Sequence, residues 1–186
     1  ILSRLQRCFG GLSHVRNRLH VLTPLVLPLP GNDIALRLNR SMLCHQIHSA
    51  LLNVQDGPLH IWSFAPDIEY LLDDLPRPER LVYYCVDDFA LFEGYDAKRL
   101  AEKEAALCHR ADLVVTTSLA LQRAKSPLNP RTILVRHGVD YDHFSKAFYQ
   151  APASPQDLAR IEHPRVGFIG RIRDWVDLDI IAAVAR

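Results

Sequence analysis

Residues 80–88 read Arg-Leu-Val-Tyr-Tyr-Cys-Val-Asp-Asp, and residues 111–118 read Ala-Asp-Leu-Val-Val-Thr-Thr-Ser. Each is a short, nearly continuous apolar run that stops at polar residues. Such runs fit strands covered on both faces, as in a parallel sheet, better than the in-out alternation of a solvated antiparallel strand. The segment between them carries Leu100, Glu104, Leu107 and several alanines at helical spacing behind Asp96, a plausible cap, so a helix is expected over 96–109. Beyond Thr116, Thr117-Ser118 offers an N-cap for a helix through Lys125, and Pro127 stops it. Residues 131–136 make the next strand, turning at His137-Gly138. The alternation of strand and helix predicts an α/β fold, a parallel sheet with helices on both faces.

Ligands in such sheets bind beyond the carboxyl ends of the strands. That rule gathers Asp87-Asp88, Thr116-Thr117-Ser118 and His137-Gly138 on one rim, with Glu93 as a further candidate. Asp87 or Asp88 could act as a general base, an acceptor for a ligand hydroxyl or a metal ligand; the plainer alternative is one capping aspartate and one solvated one. His137 could bond a ligand or bridge backbone carbonyls. Ser118 reads first as a helix cap, and Asp140 as a turn-closing residue.

From Leu134 to Arg173 the chain reads strand, turn, proline-containing linker, then a strand Val166-Gly167-Phe168-Ile169 ending at Gly170. This looks like one domain handing over to another, with a crevice beside the hinge. The expected organisation is a first domain over 1–144, a linker over 145–163 with a helix start at Ser154-Pro155, and the first strand-helix unit of a second domain over 164–186. Gly167 and Gly170 before a helix suit a phosphate, and Arg171 and Arg173 could supply fork-shaped donors to a diphosphate. A glycine pair before a helix also often only turns the chain.

Upstream, Leu59–Phe64 reads as a strand and Asp67–Leu75 as a short helix. Asn39 or Ser41 caps a helix over 42–52, and Pro24 and Pro28 make 21–29 an edge or extended segment. Pro30-Gly31 begins a turn, and Leu2, Leu5 and Phe9 allow a helix ending at Gly10-Gly11. Cys44, His45 and His48 match no standard zinc spacing, so no metal is expected.

The bulk numbers narrow the class. The chain has 186 residues, 48% hydrophobic and 23% charged, with a formal net charge of +1. That balance offers none of the basic excess of a nucleic-acid binder. Arg4, Arg7, Arg16 and Arg18 form a local basic group, read as a solvated helix face or a membrane-surface patch. Cys8, Cys44, Cys85 and Cys108 contain no Cys-x-x-Cys pair, which favours a reducing compartment over a disulfide framework. No apolar run has the length of a membrane span. The start at Ile1 and the stop within a helical pattern suggest a fragment.

The series Val82–Asp88, Ala111–Ser118, His137-Gly138-Val139-Asp140 with Phe144, and Val166–Ile172 resembles the GT-B glycosyltransferases, closest to the glycosyl transferases group 1 type and its teichuronic-acid-biosynthesis-like branch. The resemblance spans roughly residues 20–186, and its pieces are specific as a series though each is weak alone. It implies two Rossmann-like domains, here an incomplete acceptor-side domain and the start of a donor-side one. It implies a cytoplasmic enzyme, or one peripheral at the inner face of the membrane. That enzyme would transfer sugar from a nucleotide-sugar to a carbohydrate or lipid-linked acceptor in bacterial surface polysaccharide synthesis, with the nucleotide-sugar as substrate and no cofactor. Gly170, Arg171 and Arg173 would hold the donor diphosphate, with Ser118, His137 and Gly138 lining the cleft and Asp87 and Asp88 as catalytic candidates. The chain departs from the family in carrying Asp87-Asp88 where many members have histidine, His137 where asparagine is common, and no lysine near Asp177. An inactive truncated chain, or a non-enzymatic nucleotide or sugar-phosphate-binding α/β module, is the alternative.

Overall fold

The computed structural model describes residues 11–29, 32–54, 56–92, 94, 96–150, 153–173 and 176–185. The helix expected at Leu2–Phe9, the Pro30-Gly31 turn, Glu93, Cys8, Arg4 and Arg7 lie outside these residues. The chain divides into two compact units, Ile1–Arg136 and His137–Arg186.

The first unit is an α/β domain of Rossmann-like type. Its core sheet has four parallel strands in sequential order: β3 (His60–Ser63), β4 (Arg80–Cys85), β5 (Leu113–Thr116) and β6 (Thr132–Leu134). The register runs Ser63↔Tyr83, Cys85↔Thr116 and Thr116↔Leu134. The carboxyl ends therefore finish nearly level, which is what creates a rim. Helices flank the sheet: α2 (Ala97–Arg110) and α3 (Leu119–Lys125), in the connections expected of parallel strands. The core joins Leu81, Tyr83 and Cys85 of β4 to Val114 of β5, Leu107 and Cys108 of α2, and Leu121 of α3.

Both helices start where their caps allow. Asp96 accepts from the Arg99 backbone N–H at 3.1 Å, and Ser118 from that of Leu121 at 3.2 Å. At the far end of α2, buried Asn129 donates to the Cys108 and Ala111 carbonyls, both at 2.8 Å, and accepts from Arg131 N–H. It thereby satisfies carbonyls left over at the helix end while fixing the entry to β6. Arg110 pairs with Glu69 and Asp73, tying α2 to a 3₁₀ helix over Pro66–Leu71. The short helix expected over 67–75 is a 3₁₀ helix that ends at Leu71 and continues as turns.

Two further elements precede the sheet. An antiparallel hairpin pairs β1 (Gly11–Arg16) with β2 (Leu19–Thr23). Arg16 and Arg18 sit on it, so the expected basic helix face is not formed by these two residues. The turn needs a left-handed residue, and Arg18 supplies it at φ 59°. Helix α1 (Asp33–Val54) begins nine residues before its expected start at Met42, because the Asn32 side chain caps the Ala35 N–H at 3.0 Å. Asn39 caps nothing. Its amide accepts from Leu27 N–H and donates to Leu27 C=O, while Gln46 does the same for Leu25. Pro24 and Pro28 lack the N–H that a ladder needs, and these two side chains take the place of a neighbouring strand for the extended segment between them.

The second unit contains α4 (Tyr141–Tyr149), α5 (Gln156–Ala159) and α6 (Leu178–Val184). The strand expected at Val166–Ile169 is not formed. A strand exists only through a ladder partner, and among the described residues none pairs with this segment. Val166 is 81% and Ile169 fully exposed.

Candidate functional site

The rim of the first unit is built by the ends of β4 and β5. Thr117 Oγ1 donates to the Val86 carbonyl at 3.2 Å, and Val135 N–H to the Thr116 carbonyl at 2.8 Å, so the three exits are laced together just past the ladder. Asp87 and Asp88 leave this lacing exposed. The Asp87 carbonyl accepts from Cys85 Sγ at 3.5 Å, and the Asp88 carbonyl accepts from Leu91 N–H at 3.1 Å, opening a 3₁₀ turn over Phe89–Leu91. The Asp88 side chain makes no capping bond there. The backbone is thus fixed while the carboxylate stands at the rim. On the β3 side, the Phe64 ring lies against Tyr84 with centroids 5.3 Å apart, giving the rim an apolar flank.

Ser118 is a helix cap, as its position predicts. Asp112 has a comparable architectural role: its carboxylate accepts from Leu81 N–H at 2.8 Å while its own N–H donates to the Leu81 carbonyl at 2.8 Å. This reciprocal pair locks the entry of β5 to that of β4. Ala111, 1% exposed, admits no larger side chain without repacking. The Ala-Asp-x-Val-x-x-Ser series therefore secures the sheet.

The other candidates belong to the second unit. His137 and Gly138 are exposed, and Asp140 caps α4 by accepting from His143 N–H at 2.9 Å. Gly170, Arg171 and Arg173 are exposed too. At Gly170 an added Cβ would meet Phe168 Cζ at 3.1 Å, so the space a side chain would need is taken by the chain's own aromatic ring. Of the sequence candidates, then, Asp87, Asp88 and Ser118 share one sheet rim, while His137, Gly138, Gly170, Arg171 and Arg173 lie on the other unit.

Beneath the rim lies a polar group that pattern reading misses. Glu104 on α2 is 4% exposed, accepting from Tyr83 Oη at 2.6 Å and from Lys125 Nζ at 2.7 Å. Cys85 Sγ approaches the same carboxylate at 3.6 Å. Burial alone pulls the Lys125 ammonium down, but its hydrogen bond and charge pairing with Glu104 outweigh this and hold it above the usual lysine range; Asp88 adds to the same effect. Burial, and then the bond to Glu104, pushes the Tyr83 phenol far up. Burial likewise raises the thiols, Cys85 to about 11 and Cys108 to about 12. These are poor nucleophiles at neutral pH. The only sequence signal for this group was Glu104 falling on the apolar stripe of α2.

Cys44, His45 and His48 lie on α1, with His45 exposed. Cys44 faces Asp74, which also pairs with Arg40, and the His48 ring bonds the Cys44 carbonyl at 2.8 Å. Among the described residues no three His, Cys, Asp or Glu side chains group to hold a metal ion, and no helix is long and apolar enough to cross a membrane. Compared with models of known protein families and with curated proteins, the chain finds no match.

Proposed function

We propose that this chain is part of a GT-B-type glycosyltransferase, moving a sugar from a nucleotide-sugar donor to a carbohydrate or lipid-linked acceptor in the synthesis of a bacterial surface polysaccharide. The observation that supports it is the coincidence of the motif series with adjoining parallel strands. Val82–Asp88 and Ala111–Ser118 are neighbours in register, and their carboxyl ends deliver Asp87 and Asp88 to the rim where α/β sheets bind ligands. In this reading one of the two carboxylates takes the proton of the acceptor hydroxyl as its oxygen bonds to the anomeric carbon, or orients that hydroxyl. The bond from the anomeric carbon to the donor diphosphate breaks, and Arg171, assisted by Arg173, offsets the charge left on the nucleoside diphosphate. His137 and Gly138 line the ligand. A lipid-linked acceptor would draw the protein to the inner face of the membrane.

One observation favours a second reading, a nucleotide or sugar-phosphate-binding module without transfer. Asp112 and Ser118 are engaged with the backbone, a role that any α/β binding domain could use. Both readings are tested on the protein as its gene encodes it, by thermal shift with UDP- and GDP-sugars and by transfer of labelled sugar. Stabilisation lost in Arg171→Ala, with transfer reduced about 10²-fold or more in an Asp87→Asn/Asp88→Asn variant, supports the transferase. Stabilisation without transfer selects the binding module. Indifference to every nucleotide overturns both.

A further inference from the structure

His14 and His20 are direct cross-strand partners in the β1–β2 hairpin. Their rings meet edge to face, with centroids 4.9 Å apart and planes at 63°. Both are exposed. We propose that this pair is a two-imidazole clamp for a late first-row divalent cation, Cu²⁺, Ni²⁺ or Zn²⁺.

The argument is one of distance. Opposed residues of an antiparallel pair hold their Cβ atoms about 4.5–5.5 Å apart, so two imidazoles reach a common point. A metal–nitrogen bond of about 2.0–2.1 Å, with the ring centre about 1.15 Å behind the nitrogen, puts two centroids about 5.2 Å apart at a tetrahedral angle and about 4.5 Å apart at a right angle. The observed 4.9 Å lies between these values. Side-chain rotation, rather than movement of the strands, is what remains to aim both nitrogens at one ion.

The register keeps competing charge away. Arg16 pairs with Leu19 and His14 with His20, and the ladder shifts between His14 and Arg16. Leu19 and His20 are consecutive on β2 and face opposite sides, so Arg16 lies on the face away from the imidazoles. Leu12 and Leu22, also partners, continue the histidine face. Arg18, in the turn, is the remaining cation of the hairpin. Two nitrogens leave the other positions to water, so binding should follow intrinsic imidazole affinity, with Cu²⁺ ahead of Ni²⁺ and Zn²⁺.

The test is titration of the chelator-stripped protein with each metal alone at pH 7.5, followed by calorimetry and, for Cu²⁺, by electron paramagnetic resonance. The expected result is one ion per chain and a spectrum with two imidazole nitrogens. His14→Ala and His20→Ala should each weaken binding at least tenfold, and the double variant should weaken it little further than either. Circular dichroism establishes that each variant is folded. A His45→Ala/His48→Ala variant should bind as the parent does. Unchanged affinity in His14→Ala and His20→Ala, or loss confined to the His45/His48 variant, would overturn the assignment.

Discussion

Lys125 Nζ donates to Glu104 Oε2 at 2.7 Å, with both residues less than a tenth exposed. The pair joins the end of α3 to the middle of α2, and Tyr83 ties it to the central sheet. Removing water from two charges is costly, and only the completeness of their bonding offsets that cost. No described buried side-chain nitrogen or oxygen is left without a partner.

Breaking the pair should therefore be more harmful than replacing it. Glu104→Ala leaves a buried ammonium unpaired and should cost about 3–5 kcal/mol in urea unfolding. Tyr83→Phe, which removes only one donor to a charged acceptor, should cost about 1.5–3 kcal/mol. A Glu104→Leu/Lys125→Met double variant should recover most of the Glu104→Ala loss. A double variant as unstable as Glu104→Ala would show that the charges themselves are required.

The buried thiols set an alkaline limit. Cys85 rises from 9.0 to about 11 and Cys108 from 9.0 to about 12. Below about pH 8 the thiols are almost wholly protonated in folded and unfolded chains alike. Above it the unfolded chain loses protons that the folded chain keeps, so stability falls as pH rises toward the folded values. Unfolding free energy should decline between pH 8 and 9.5, before the phenols of the unfolded chain ionise, and a Cys85→Ala/Cys108→Ala variant should show a shallower decline. In the native protein neither thiol should react with iodoacetamide at pH 8, whereas both should in urea. Labelling of native Cys85 or Cys108 would contradict their burial.

Ser118 separates architecture from chemistry. Ser118→Ala should cost about 1 kcal/mol of stability through loss of the α3 cap. It should leave any nucleotide-sugar binding unchanged once the protein is folded. A large loss of binding with little loss of stability would return Ser118 to the ligand.

The sheet was legible because its signals are local. Val82–Val86 and Leu113–Thr116 are apolar on both faces, and Asp96 and Ser118 announce their helices with a side chain within one turn. The hairpin was not legible, since its turn depends on Arg18 adopting a conformation that most residues avoid. The start of α1 was hidden by Asn39, whose amide serves Leu27 rather than the helix. The strand read at Val166–Ile169 failed for the opposite reason: its composition suits a ladder, but a ladder needs a second segment.

By itself the amino-acid order determined the strands β3 to β6 and the two helices α2 and α3 between them, and so the parallel sheet and the placement of Asp87-Asp88 at a strand's carboxyl end. Tertiary structure alone decided the fate of the charges. Glu104 and Lys125 lie on different helices, and read singly each looks like a solvated side chain. Only when α2 packs against β4, and α3 against β5 and β6, does each find the opposite charge that makes its burial tolerable. His14 and His20, likewise, become neighbours only through the hairpin register.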